Sequence, residues 1–227
     1  MTVANNEGVW SRSPTGDAVH LLIRKGQVVN GTGITVAKIL GVWGGGREQT
    51  TRTLVLVQLA GPKVTAANDQ ALILVQEDST VAVPNFLILM REGDPAQGCG
   101  GGTIGTISRV VADGYAGLYL ILATLAGAPA GTEQALYAGR LLNPGFNPIG
   151  NTTTLATLRR PTLYLRKGWL FDGQMSKVKS INLPANTVTA AGMGGTGRAN
   201  CITSFGPLAV TVEFDNGVRQ IMTGTVP

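Results

Sequence analysis

Chemistry at a protein site needs an acid, a base, a nucleophile or a metal ligand in reach of another, and this chain offers few. It has one histidine, His20, so every arrangement that needs an imidazole would have to use that residue. The 13 acids are dispersed; Glu77-Asp78 and Glu92-Gly93-Asp94 read as turn acids without the paired geometry that proton transfer requires. Cys99 and Cys201 are too far apart in sequence for a metal-binding or redox motif, and free thiols are the expectation. Gly192, Gly194 and Gly197 satisfy a Gly-x-Gly-x-x-Gly spacing, but a phosphate cradle needs a helix after it. Arg198-Ala199-Asn200-Cys201-Ile202 follows instead, with no amphipathic period. The expectation is a non-enzyme with no catalytic, cofactor or metal residue.

Binding is the remaining chemistry. The candidates for contact with a partner are Trp10 and Arg12 in an N-terminal arm, Trp43 and Arg47 around Gly44–Thr51, and Arg198 beside Gly192–Gly197. The Gly-rich stretch Gly98–Thr103 is a further candidate loop. Loops of this kind commonly carry recognition because a rigid scaffold holds them out.

The scaffold is announced by a phrase used three times. Leu21-Leu22-Ile23-Arg24-Lys25-Gly26 runs on to Asn30-Gly31, Ile88-Leu89-Met90-Arg91-Glu92-Gly93 to Gln97-Gly98, and Leu163-Tyr164-Leu165-Arg166-Lys167-Gly168 to Asp172-Gly173. A second phrase occurs twice: Leu59-Ala60-Gly61-Pro62 leads to Asp69-Gln70-Ala71-Leu72, and Leu125-Ala126-Gly127 to Glu133-Gln134-Ala135-Leu136. Two phrases recurring in the same order imply copies of one small unit. Chance recurrence of a common hairpin phrase is the competing account. The reading is an arm over 1–19 and units over 20–85, 86–150 and 151–227.

Within the units, short runs such as Leu21–Arg24, Gln27–Asn30, Thr35–Leu40, Leu54–Leu59, Ala71–Val75 and Phe86–Arg91 read as strands broken by Gly and Pro. Leu54-Val55-Leu56-Val57 lacks polar alternation, so both its faces are expected to be buried. Leu208–Phe214 and Val218–Met222 flank Asp215-Asn216-Gly217, a hairpin turn signal. Ala66–Leu72 and Thr132–Arg140 are open between helix turn and strand. The fold class is all-β: two to three tandem small barrels or sandwiches behind an extended arm.

Composition agrees. Apolar residues are 44% of 227, enough for a core, while charged residues are only 14%, about half the usual share. A surface so poor in charge suits a protein packed against neighbours, as many copies or as a homo-oligomer. The net charge is +5, but Lys and Arg are scattered in pairs and aromatics are 5%, so nucleic acid is not the expected partner. The N-terminus lacks a secretory pattern, and Tyr115–Ala130 is too short and Gly-rich to cross a bilayer; no membrane association is expected.

Leu21–Gly33 resembles the opening strands of the amidohydrolase family. The paired His-x-His ligands of that family are missing, the chain cannot hold its barrel, and the phrase recurs at Leu163. The shared feature is a hairpin. In style the chain resembles the head decoration (cement) and minor capsid proteins of tailed bacteriophages, through Lys25-Gly26-Gln27-Val28, Val36-Ala37-Lys38-Ile39-Leu40-Gly41 and Arg52-Thr53-Leu54-Val55-Leu56-Val57. That resemblance implies a virion structural protein made in the host cytoplasm, binding the major capsid protein or other virion proteins of an assembled head. The alternatives are a tail, neck or fibre-base adaptor, and a carbohydrate- or surface-binding module.

Overall fold

The computed structural model describes residues 5–12, 19–29, 33–45, 52–76, 85–113, 117–141, 160–171, 175–183 and 207–225. Among them every regular element is a strand: β1 (Gly8–Arg12), β2 (Val19–Arg24), β3 (Thr35–Gly45), β4 (Arg52–Ala60), β5 (Gln70–Gln76), β6 (Asn85–Arg91), β7 (Thr103–Asp113), β8 (Leu118–Ala126), β9 (Gln134–Arg140), β10 (Thr162–Arg166), β11 (Leu170–Phe171), β12 (Ser176–Asn182), β13 (Pro207–Phe214) and β14 (Arg219–Thr225). The fold is all-β. The two segments left open in the sequence resolve to turn and strand: Gln70–Gln76 and Gln134–Arg140 are both strands. The arm is not wholly irregular, because Gly8–Arg12 forms β1 along β2. Gln27–Asn30 is not a strand; Val28 makes only a single bridge to Thr35.

The sheets run β3-β4-β5-β6, β7-β8-β9-β10 and β11-β12-β13-β14, with β1-β2 as a separate pair. Each unit therefore has a lead strand (β2, β6, β10), a second (β3, β7, β12), a third (β4, β8, β13) and a fourth (β5, β9, β14). The lead strand of one unit pairs not within its own sheet but against the fourth strand of the unit before it. Successive sandwich units are stitched together by this exchange, and β1 supplies the equivalent fourth strand for β2.

The four layers stack face on face. On β4, Val55, Val57 and Leu59 pack toward Leu22 and Ile23 of β2, while Leu54 and Leu56 pack toward Tyr119 and Ile121 of β8. On β8, Leu118, Leu120 and Leu122 face the other way, onto Val210, Val212 and Phe214 of β13. That explains the missing alternation in Leu54–Val57 and in Leu118–Leu122, since an interior layer must be apolar on both faces. The last layer returns to alternation. Leu208, Val210, Val212 and Phe214 are buried, whereas Ala209, Thr211 and Glu213 between them are half-exposed. This is how a terminal unit of a stack is capped with a polar outer face.

Candidate interaction surface

The repeated phrase is a repeated hydrogen-bond network. Gly26, Gly93 and Gly168 have φ of 80°, 86° and 85°, so each occupies a left-handed turn position that favours glycine. Each donates its N–H to the second strand of its unit, at the carbonyls of Val36, Ile104 and Val178. The residue before each glycine donates to the start of the preceding fourth strand or its equivalent: Lys25 to Glu7, Glu92 to Gln70 and Lys167 to Gln134. Those three acceptors do a second task with their side chains. Glu7 Oε2 accepts the Ile39 N–H at 3.1 Å, Gln70 Oε1 the Ile107 N–H at 2.7 Å, and Gln134 Oε1 the Ile181 N–H at 2.8 Å. All three isoleucines lie just past an irregularity in strand pairing, where a bulged backbone leaves an amide without its ladder partner. Sequence reasoning noted Asp69-Gln70 and Glu133-Gln134 but missed this role. The signal was a Gln fixed at the same step after the apolar run in both units.

The phrase arginines are pins more than solvated charges. Arg91 Nε donates to the Asn68 carbonyl at 3.0 Å, and Arg166 donates to the Cys99 carbonyl, tying each turn to a neighbouring unit; only Arg24 is exposed. Lys167 pairs with Glu133 at 2.9 Å. That hydrogen bond, with the Gly131 N–H, holds the Glu133 carboxylate down at about 2.

Two residues past each glycine sits an exposed apolar side chain: Val28, Pro95 and Leu170. Each is bridged to its own second strand in the same way, at Thr35, Thr103 and Lys177. The third station is the most apolar, with Trp169 and Met175 also exposed. The three stations thus occupy the same place, just after the turn glycine, in three successive units.

Among the described residues, the sequence-derived partner residues are not the ones at these stations. Trp10 is 55% exposed on β1, with its ring lying over Gly8, where a Cβ would come within 2.7 Å of it. Trp43 repeats the arrangement over Gly41, but its ring is half-buried and packs against the core between the first two full sheets. Gly-Val-Trp at 8–10 and 41–43 is thus one local solution used twice, an aromatic covering a strand glycine. The backbone of Arg12 lies in β1 opposite Val19. Arg47, Arg198, Cys201 and the Gly192–Gly197 loop lie outside the described residues. Gly98–Thr103 is a turn that packs on Leu163 and Arg166 of the following unit, so part of it is a contact between units.

The chemistry-bearing residues are likewise dispersed. His20 is exposed on β2. Glu92 accepts the Gln70 N–H, and burial raises its carboxyl despite that bond. Cys99 is a buried free thiol 3.2 Å from the Tyr137 hydroxyl, whose ionisation is raised by burial first and by Cys99 second. A cavity of about 30 Å³ beside it, lined by Asp94, Gln97, Tyr137 and Arg160 among others, has room for about one or two waters. Among the described residues no group of three His, Cys, Asp or Glu could hold a metal ion, and no helix is long and apolar enough to cross a membrane. No protein-family model, curated protein or solved structure matches this chain.

Proposed function

We propose that this chain is a virion structural protein, a capsid decoration or cement protein that binds an assembled phage head through its major capsid protein. The observation that carries the reading is the set of three equivalent exposed apolar stations at Val28, Pro95 and Leu170, each set on a turn pinned to the unit before it. A stack whose units are stitched by strand exchange resists bending between stations, so the ordering entropy of the three stations is already spent before binding. Three rigidly joined apolar stations suit a groove at a junction between subunits. Such a junction exists only in the assembled lattice, and a ligand that binds only the assembled state stabilises it by mass action.

The test mixes the purified chain with heads of the virus that carries its gene, and separately with free coat subunits. Cosedimentation with heads alone, weakened by Leu170→Asp and accompanied by a higher rupture temperature, is the expected result. Equal binding to free subunits, or none to heads, overturns the reading.

A further inference from the structure

Strand β14 pairs with the straight register of the interior fourth strands, yet no described strand covers its outer edge. The pairings between third and fourth strands, β4–β5, β8–β9 and β13–β14, run without a register shift. Every lead strand carries a shift against its partner, and so does every second strand. Bulged edges are poor templates for another strand, and straight ones are good templates. In the first two units the straight fourth strand is covered by β6 or β10. In the third, among the described residues, β14 pairs only with β13, and Ile221 is 73% exposed.

The hairpin geometry sets which backbone groups on this edge no described strand pairs. Phe214 N–H donates to Val218 O, and Gly217 N–H to Phe214 O, which closes a three-residue turn with a bulge. Pairing then alternates along the ladder, so Val212↔Gln220, Val210↔Met222 and Leu208↔Gly224 exchange bonds within the hairpin. The N–H and C=O groups of Arg219, Ile221, Thr223 and Thr225 point outward.

The occupant is not a fourth lead strand. Where β5 and β9 begin with Gln70 and Gln134, β14 begins with Arg219. An arginine cannot accept the second-strand amide that those glutamines accept, and its own head is held by Glu213 at 3.2 Å. A lead strand would also bring its phrase arginine, which pairs with Ala71 or Ala135 in the earlier units, onto Gln220 beside this cation. The same edge is, however, complementary to itself. With Ile221 opposite Thr223 of a second copy, all four outward residues pair, and Arg219 falls opposite Thr225 with the two like charges at opposite ends of the ladder.

We propose that two copies of this chain join edge to edge, β14 against β14 in antiparallel register about a two-fold axis. The two terminal sheets become one eight-stranded sheet, and the contact closes after two copies.

The test is the mass of the full chain by light scattering and sedimentation across a concentration series. The expected species is a dimer of twice the 23.5 kDa chain. Thr223→Pro removes an outward N–H that no described strand pairs, and edge positions of this kind tolerate proline. It is expected to give monomer with an unchanged circular dichroism spectrum. Ile221→Lys, at an exposed position, is the second variant should the proline perturb folding, and monomer is again expected. A monomeric wild type at about 100 µM, well above the Kd of a stable dimer, overturns the proposal. A dimer that survives both variants, or a ladder of higher oligomers that marks head-to-tail stacking, also overturns it. None of these outcomes depends on capsid binding.

Discussion

Replacing Gln134 by Ala removes the acceptor that holds the Ile181 amide, and the cost can be worked from the structure. The bond is 2.8 Å long, and the Ile181 side chain is fully buried between the second and third full sheets. A buried amide stripped of its partner costs about 1–3 kcal/mol. For a chain of this size 1 kcal/mol moves Tm by about 2–4 °C, so the variant should melt about 2–12 °C lower. Amide exchange gives the sharper assay, because Ile181 should lose protection while amides of β4 and β5, two layers away, keep theirs. Gln134→Glu keeps an acceptor at the same reach, as Glu7 does in the first station, and should retain most of that protection. A Tm change under about 1 °C for Gln134→Ala, with Ile181 still protected, would refute the argument that these side chains cap the bulged strands.

Gly168→Ala places a Cβ 2.9 Å from the Gly131 carbonyl at φ 85°, and should cost at least ~2 kcal/mol by chemical denaturation. Gly217→Ala, at φ 83° with open space around it, should cost only about 1 kcal/mol, so equal losses would sink the packing part of that claim. Tyr119 buries a hydroxyl with no partner among the described residues, so Tyr119→Phe should be neutral or stabilising by up to about 1 kcal/mol. A clear loss of stability would show that the hydroxyl is satisfied. The Glu133 carboxyl lies below its ordinary value of 4.5, so its stabilising effect is complete above that pH and fades as pH falls toward about 2. The Tm gap between wild type and Lys167→Met should therefore narrow through that window, and a gap independent of pH would contradict the assignment.

Much of the architecture was legible in the chain. The three-fold phrase located three turns whose glycines share one conformation, because a left-handed position leaves a sequence trace that few residues can replace. Leu54–Val57 announced an interior layer through its lack of alternation, and Asp215-Asn216-Gly217 announced the last hairpin. The candidate site was much less legible. Trp43 looked like a contact residue, but one face of its ring covers Gly41 and the rest packs on the core, which no local pattern reveals. Arg52 sat inside a strand-like run and proved to be a fully buried cation that donates to the Leu141 carbonyl; burial lowers its ionisation. Its partner is far along the chain, so nothing near it in sequence could flag the pairing.

The sequence by itself determined the unit: which residues turn, which runs extend, and that the run is used three times. Those features depend on backbone conformation and on apolar period, both of which act over a few residues. Only the tertiary structure decided how the units join. The lead strand joins the sheet of the unit before it, where the residue ahead of the turn glycine finds its acceptor at Gln70 or Gln134 on that unit's fourth strand. It also decided that β14, the fourth strand of the last unit, stands uncovered by any described strand. Strand pairing is chosen among distant segments by which carbonyls and amides remain free once the layers are stacked, and no single stretch of chain carries that information.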